Sequence, residues 1–226
     1  MKPSDYQDIY GYAESLDLLN ERDCSNDLGT FIELVSTTVP NGASILDIGG
    51  GSGYILARIL DSRQDLAATL LEPSEPMLER ARTRAAGFAI LEGSLQDQSD
   101  KLEQYDAIIL CRALYAMSTG HQQRQATIRL ISRKLKPYGR LFIHEPDALY
   151  DIASFETRMK HCLDMPPDAF QSLWQTVKPA LERFNTGVRA GEFTLYDAQM
   201  LDQTLLPEGF TLLTRNGRSH VYRRTS

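Results

Sequence analysis

Four glycines occupy five consecutive positions, 49 to 53, directly after an apolar run in the sequence ILDIGGGSGYI (residues 45–55). Glycine has no Cβ, so it adopts positive φ angles and lets a bound molecule approach the backbone closely. An acidic residue, Glu72, ends a second apolar run 19 residues after Gly53. A carboxylate at that distance from a glycine loop is suited to accept hydrogen bonds from ribose hydroxyls. The two features together predict a site for a cofactor that contains a ribose.

The spacing of the glycines decides between two kinds of cofactor. A dinucleotide-binding G-x-G-x-x-G motif needs a third glycine for close packing of helix on strand. The two possible alignments place Tyr54 or Leu56 at that position. Residues 47–53 instead read Asp-x-Gly-x-Gly-x-Gly, which resembles the first motif of the class I, Rossmann-like, S-adenosylmethionine-dependent methyltransferases.

The resemblance extends from about residue 28 to the C-terminus and implies a role for each segment that it covers. The glycine loop passes under the amino-acid part of S-adenosylmethionine, and Glu72 binds the ribose. The exit of the third strand, where family members usually carry Gly-Asp, here reads Gly93-Ser94, and the serine hydroxyl is left to accept from the adenine amine. The implied cofactor-binding residues are Asp47, Gly49, Gly51, Gly53, Glu72, Pro73, Met77, Ser94, Leu95 and Cys111.

Short apolar runs alternate with helical patterns along most of the chain. Strands that are apolar throughout and separated by helices favour a parallel sheet covered on both faces. Two further strands, FTLLTR and HVYRR, flank the hairpin dipeptide Asn216-Gly217. The predicted fold is therefore α/β, a Rossmann-like three-layer sandwich whose seven-strand, mostly parallel sheet ends in an antiparallel hairpin. Before the hairpin, strands are predicted at 44–49, 67–73, 88–93, 105–111 and 139–145, and helices at 25–39, 54–62, 75–86 (capped by Ser74), 122–136 and 198–206.

Two segments are expected to cover the carboxyl ends of the strands, where open α/β sheets bind their ligands. One is an N-terminal helical cover, residues 1–24. The other is an insertion at residues 147–196, which reads as two helices and resembles the lids of small-molecule methyltransferases. Both belong to a single predicted methyltransferase domain, residues 1–226. The candidate acceptor-binding residues are Tyr10, Arg112, Tyr115 and Trp174.

A general base is needed only if the acceptor must lose a proton before or during methyl transfer. His144, at the end of the fifth strand in FIHEPD, is the first candidate, and the neighbouring Glu145 is the second. No acidic metal ligands surround the end of the fourth strand, so no metal is expected. Cys111 follows a leucine rather than the proline of cytosine-C5 enzymes, and a buried, inert thiol is expected there.

Composition narrows the function classes further. The formal net charge is −6, which disfavours a sequence-independent grip on nucleic acid. The first 30 residues lack the apolar stretch of a secretory signal, and no run approaches the roughly 20 apolar residues of a membrane helix. We therefore expect a cytoplasmic monomer or homodimer with a small-molecule substrate, and with neither nucleic acid nor membrane as partner.

The predicted function is transfer of a methyl group from S-adenosylmethionine to an O, N, S or C atom of a small-molecule acceptor, by in-line displacement in a lidded pocket. Two alternatives stay open from the sequence. One is a protein that binds S-adenosylmethionine without transferring its methyl group, for example to steer a cyclisation. The other, disfavoured by Tyr54 and Leu56, is a nicotinamide-dependent oxidoreductase.

Overall fold

The computed structural model describes residues 13–22, 27–117 and 120–225. Tyr10 and much of the predicted cover at residues 1–24 lie outside these ranges. The strands are β1 (Ser44–Ile48), β2 (Ala67–Glu72), β3 (Phe88–Glu92), β4 (Tyr105–Cys111), β5 (Leu135–His144), β6 (Phe210–Asn216) and β7 (Ser219–Arg224). The α-helices are α1 (Ala13–Glu21), α2 (Leu28–Thr38), α3 (Tyr54–Ser62), α4 (Glu75–Arg84), α5 (Leu95–Gln98), α6 (Leu114–Met117), α7 (His121–Lys134), α8 (Ile152–Leu163), α9 (Pro167–Arg189) and α10 (Ala198–Leu205).

The strands form one seven-stranded sheet in the order β3-β2-β1-β4-β5-β7-β6. The first five strands in that order are parallel, whereas β7 is antiparallel to both β5 and β6. This arrangement confirms the predicted sheet and its terminal hairpin. The strand order reverses between β1 and β4, which is the point where open α/β sheets form their ligand crevice.

Both faces of the sheet are covered, as the uniformly apolar strands predict. Alternate residues of β4 point to opposite faces, so Ile108 and Leu110 belong to one core cluster and Ala107 and Ile109 to the other. A third, smaller cluster joins α8 and α9 to α1; its buried members are Leu19, Met159, Leu163, Phe170, Trp174, Val177 and Leu181. The two helices expected in residues 147–196 are thus present, with a core of their own.

Two local predictions need correction. Ser74 does precede α4, but its hydroxyl makes no capping bond, and its backbone N–H donates to Glu72 instead. Strand β5 begins at Leu135, four residues before the predicted start. Leu135 pairs with Tyr105 ahead of a register shift, so the turn-forming Pro137 and Gly139 lie within the strand rather than before it.

Candidate active site

A cleft of about 420 Å³ lies at the carboxyl ends of β1, β2 and β4. This volume falls within the range of small-molecule sites. One side of the cleft is formed by the glycine loop and Glu72, and the other by residues of α8, α9 and the segment before α8. A smaller cavity of about 50 Å³ adjoins it, and Gly49 and Glu72 line both.

The glycine loop follows β1 and leads into α3, as predicted. Gly51 has a φ of +58°, and a Cβ built on it would meet only the Met77 sulfur within 4 Å, at 3.7 Å. Its bare backbone therefore faces open space in the cleft. At Gly50 a side chain is excluded by close packing, because a Cβ there would lie 2.6 Å from the Asp47 carboxylate.

Glu72 ends β2 and is buried against the glycine loop. Its Oε2 accepts a hydrogen bond from the Gly51 N–H at 2.9 Å, and its Oε1 accepts one from the Ser74 N–H at 2.8 Å. Burial raises the pKa of the carboxyl to about 7, against the opposing effect of these two bonds. Glu72 thus anchors the glycine loop, a role that the sequence did not indicate, and it lines both cavities.

Asp47 lies in β1 beneath the loop and lines the same cleft. It is fully buried, and neither carboxylate oxygen has a hydrogen-bond partner among the described residues. Burial, together with the nearby charge of Glu72, raises its pKa to about 7. A buried carboxylate without a partner suits a cationic ligand, and S-adenosylmethionine carries both a sulfonium and an ammonium group.

Nine of the ten predicted cofactor residues line one or both cavities, whereas Gly53 lines neither. Gly53 has a φ of +73°, and a Cβ there would lie 2.7 Å from the Phe88 ring, so its backbone packs against β3. Pro73, Ser94 and Leu95 line the smaller cavity, while Met77 and Cys111 line the larger. The Ser94 hydroxyl caps α5, accepting from the Asp97 N–H at 3.2 Å and donating to the Asp97 carboxylate at 2.6 Å. Burial raises the pKa of the Cys111 thiol to about 12, so the side chain is a neutral thiol at physiological pH.

The two predicted base candidates do not line the cleft. Glu145 is buried, and its carboxylate accepts backbone N–H bonds from Ala113 and Leu114 at 2.8 Å and from Tyr115 at 3.1 Å. His144 is also buried, with Nδ1 2.9 Å from the Ser219 hydroxyl. Glu145 therefore holds the segment after β4 through these hydrogen bonds, and the His144 side chain does not reach the cleft.

Of the predicted acceptor-binding residues, two line the cleft, one does not, and one lies outside the described residues. Arg112 and Tyr115 line the cleft, and Tyr115 packs edge-on against Phe184 of α9 at a centroid distance of 5.2 Å. Trp174 stacks on Phe170 within the small core of α8 and α9 and does not line the cleft. Tyr10 lies outside the described residues.

The ion pair that orients Arg112 was not predicted from the sequence. Asp27, just before α2, pairs with both Arg112 and Arg218. Arg218 lies in the turn of the terminal hairpin and lines the cleft. The antiparallel direction of β7 was the available signal: Ser219 pairs with His144, so the turn before β7 returns to the carboxyl ends of the parallel strands.

A second unpredicted contact joins α1 to the glycine loop. Asp17 is buried, accepts a hydrogen bond from the Ser52 hydroxyl and pairs with Arg80 and with Arg84, the latter at 2.8 Å. Through these bonds the described part of the N-terminal cover is attached to the loop. Within the described ranges, no three His, Cys, Asp or Glu side chains converge as metal ligands, and no helix is long and apolar enough to cross a bilayer.

Parts of the chain are similar to known methyltransferases. Residues 46–141 match the model of the family described as "Methyltransferase domain". A dTDP-4-amino-2,3,4,6-tetradeoxy-D-glucose N,N-dimethyltransferase of Saccharopolyspora spinosa is 33% identical over 136 residues, or 60% of this chain and 52% of that protein. A ubiquinone/menaquinone biosynthesis C-methyltransferase of Ruegeria sp. (strain TM1040) is 29% identical over 173 residues, or 67% of this chain and 66% of that protein. The chain thus spans between half and two thirds of the length of these relatives.

Solved structures show the same fold at low identity. A putative S-adenosylmethionine-dependent methyltransferase of Methanococcus maripaludis superposes with a TM-score of 0.63 at 16% identity, covering 95% of this chain and 92% of that one. Human N-acetylserotonin methyltransferase in complex with S-adenosylmethionine gives a TM-score of 0.61 at 14% identity, covering 98% of this chain and 59% of that one.

The sheet order, the glycine loop and these matches define a Rossmann-like methyltransferase fold. The match to the methyltransferase family is carried by residues 46–141, and the chain as a whole is similar in fold to class I S-adenosylmethionine-dependent methyltransferases. These similarities support S-adenosylmethionine as the cofactor.

Proposed function

We propose that the protein transfers the methyl group of S-adenosylmethionine to a small-molecule acceptor bound between the glycine loop and helices α8 and α9. The observation that carries this proposal is a single cleft with two different walls. Asp47, Gly51 and Glu72 form the wall that suits the cofactor, while Arg112 and residues of α8 and α9 form the other. Cofactor and acceptor can therefore meet within one enclosed volume.

The names of the relatives support a small acceptor. The Saccharopolyspora spinosa protein acts on a nucleotide-linked amino sugar, and the Ruegeria protein belongs to ubiquinone/menaquinone biosynthesis. These two methylate nitrogen and carbon, respectively, so the relatives leave the acceptor atom of this chain to be established by assay.

When bound, S-adenosylmethionine supplies a methyl group already activated by its positive sulfur. The remaining work of the protein is to align the two reactants and exclude water. Asp47 and Glu72 would hold the cofactor, with Glu72 also fixing the glycine loop through Gly51. We propose that residues 147–196 act as the lid. Asn185 of α9 holds the backbone of Tyr150 through two hydrogen bonds of 2.8 Å, and these bonds fix the segment that leads into α8.

The buried positions of His144 and Glu145 favour positioning roles over catalytic ones. Neither side chain lines the cleft, so neither reaches an acceptor there without rearrangement. A reaction without a protein base is feasible where the acceptor is already nucleophilic.

The test is formation of S-adenosylhomocysteine, measured by mass spectrometry, from S-adenosylmethionine and defined panels of amines, phenols, thiols and activated carbon acids. We expect product with at least one panel, and none with the Gly51→Val variant, whose Cβ enters the cleft. Calorimetry with S-adenosylhomocysteine gives an independent check that the cofactor binds. Binding of the cofactor without turnover on any panel would contradict methyl transfer.

A further inference from the structure

Two arginines from distant parts of the chain meet on the acceptor side of the cleft. Arg112 follows β4, and Arg218 lies in the turn between β6 and β7. Both side chains line the cleft, with 27% and 25% of their surface exposed, respectively. Their guanidinium groups are thus neither on the open surface nor sealed in the core.

One carboxylate orients both arginines. Asp27 Oδ1 lies 3.5 Å from Arg112 Nη2, and Asp27 Oδ2 accepts a hydrogen bond from Arg218 Nη2. Asp27 Oδ2 also lies 3.5 Å from His144 Nε2, and the other ring nitrogen of His144 contacts the Ser219 hydroxyl. This chain of contacts fixes the two guanidinium groups from behind the cleft wall.

The backbone of Arg112 is also held in an unusual conformation. Its φ is +54°, a left-handed value that costs a residue with a Cβ free energy. The Arg112 N–H donates to the His144 carbonyl at 2.8 Å, which helps to maintain that turn directly after β4. Left-handed residues other than glycine concentrate at functional sites, and here the unusual turn belongs to a side chain that lines the cleft.

Arg112, Arg218 and Asp27 together carry one net positive charge. Carboxylates nearby are Glu145, which interacts electrostatically with Arg112, and Asp147 and Asp151, which line the same cleft. Arg218 is partly desolvated, which lowers its pKa. A guanidinium has five N–H donors, and in the described part of the chain Arg218 forms one hydrogen bond, through Nη2. Donors on Arg218 therefore remain for a ligand, in a cleft that the apolar Val177 and Phe184 also line.

We propose that Arg112 and Arg218 bind an anionic oxygen group, a carboxylate or a phosphate, on the methyl acceptor. Planar guanidinium groups bind such anions in bidentate fashion, and the apolar part of the wall accommodates the rest of an organic acid. This inference rests on the proposed function, because it assigns the acceptor to this side of the cleft. The carboxylate of the cofactor itself is the other possible source of the same chemistry.

The experiment separates these sources by calorimetric titration. The anionic probes are benzoate, phenylacetate and phenyl phosphate, and the neutral counterparts are benzamide, phenylacetamide and phenol. Each is titrated into the protein with and without saturating S-adenosylhomocysteine. We expect at least one anion to bind the loaded wild-type protein at least about tenfold more tightly than its neutral counterpart.

Variants then assign that preference to the two arginines. Arg112→Gln and Arg218→Gln should each remove most of the preference, whereas Arg218→Lys, which keeps the charge, should retain part of it. Arg129→Gln, at an exposed arginine paired with Glu208, is the matched control and should behave as wild type. Circular dichroism establishes that each variant is folded.

Three results would overturn the proposal. The wild-type protein would show no preference for any anion, or the preference would survive in both glutamine variants. Alternatively, those variants would weaken binding of S-adenosylhomocysteine itself by tenfold or more, which assigns the arginines to the cofactor. Failure of the proposed function is recognised separately, as absence of cofactor binding or turnover in wild type, and the probe titrations without cofactor still report on the arginines.

Discussion

Binding of S-adenosylmethionine is expected to strengthen as the pH rises from about 6 to about 8. Asp47 and Glu72 are buried at the glycine loop, and burial raises the pKa of each to about 7. In the free protein near pH 6 both are therefore mostly protonated. A positively charged ligand favours their ionised forms, so binding must be accompanied by release of protons.

The size of the change in affinity follows from the fraction of each carboxyl group that is ionised before the cofactor binds. A single group with a pKa of about 7 is roughly 9% ionised at pH 6 and roughly 91% ionised at pH 8. If the cofactor requires that one group to be charged, its affinity rises about tenfold over this interval. The negative charge of Glu72 itself raises the pKa of Asp47, so the two protons are lost in coupled steps, and the combined gain lies between about tenfold and about a hundredfold.

Calorimetric titration of wild type, Asp47→Asn and a control at an exposed aspartate, Asp61→Asn, measures this effect. The control should follow the wild-type pH profile, whereas Asp47→Asn should lose the part of the profile that belongs to Asp47. The amino group of the cofactor titrates identically against all three proteins, so the difference between their profiles isolates Asp47. S-adenosylhomocysteine, which lacks the sulfonium charge, should show a shallower profile.

The same pKa shifts fix the sign of the pH dependence of stability. A carboxyl whose pKa is higher in the folded state binds more protons there than in the unfolded chain between about pH 4 and about pH 7. The contribution of Asp47 and Glu72 to the free energy of unfolding without cofactor therefore falls as the pH rises through that window.

Two results would refute the predicted pH dependence of binding. One is a dissociation constant for S-adenosylmethionine that changes less than twofold between pH 6 and pH 8. The other is an Asp47→Asn variant that keeps the full pH dependence of wild type.

Three substitutions test other parts of the site. Gly51→Val should abolish cofactor binding in a folded protein, because Gly51 has a positive φ and a Cβ there points into the cleft; calorimetry with circular dichroism checks this, and retained affinity would place the loop away from the ligand. Glu72→Ala should weaken S-adenosylmethionine at least about tenfold and also lower the melting temperature, since it removes the acceptor of two backbone N–H groups as well as the proposed ribose partner. His144→Ala should slow transfer by less than the roughly 10²–10⁴-fold expected for a lost general base, because the imidazole is buried outside the cleft. A fall in kcat of that size or larger, with KM unchanged, would show that His144 is catalytic.

Much of the fold follows from local patterns in the sequence. Uniformly apolar strands separated by helices predict a covered parallel sheet, and the Asn-Gly dipeptide predicts the terminal hairpin. The glycine loop and Glu72 could be proposed from the sequence because their chemistry depends on spacing along the chain, and the structure places both at the cleft. The anchoring role of Glu72 could not be proposed in this way, because hydrogen bonds to the N–H groups of Gly51 and Ser74 depend on backbone directions that sequence spacing does not report.

The candidate bases show where reasoning from position in the sequence is insufficient. His144 and Glu145 do lie at the end of β5, next to the cleft, but alternate residues of a strand point to opposite sides, and strand end alone does not give side-chain direction. The Glu145 carboxylate turns toward the backbone after β4, where three N–H groups at the start of α6 need an acceptor. A buried carboxylate is more stable with such hydrogen-bond donors than without a partner.

The wall of the cleft that we propose binds the acceptor was the least predictable part, because its residues are remote in sequence. Asp27 and Arg218 are separated by 191 positions, and nothing in their local sequence indicates that they pair. Their meeting depends on the antiparallel direction of β7, since a parallel last strand would place the turn before it at the opposite edge of the sheet. The hairpin that distinguishes this sheet from a fully parallel one therefore also supplies a charged residue to the cleft. Substrate selectivity in this protein is then expected to respond to changes in the hairpin turn that leave the glycine loop and the cofactor site untouched.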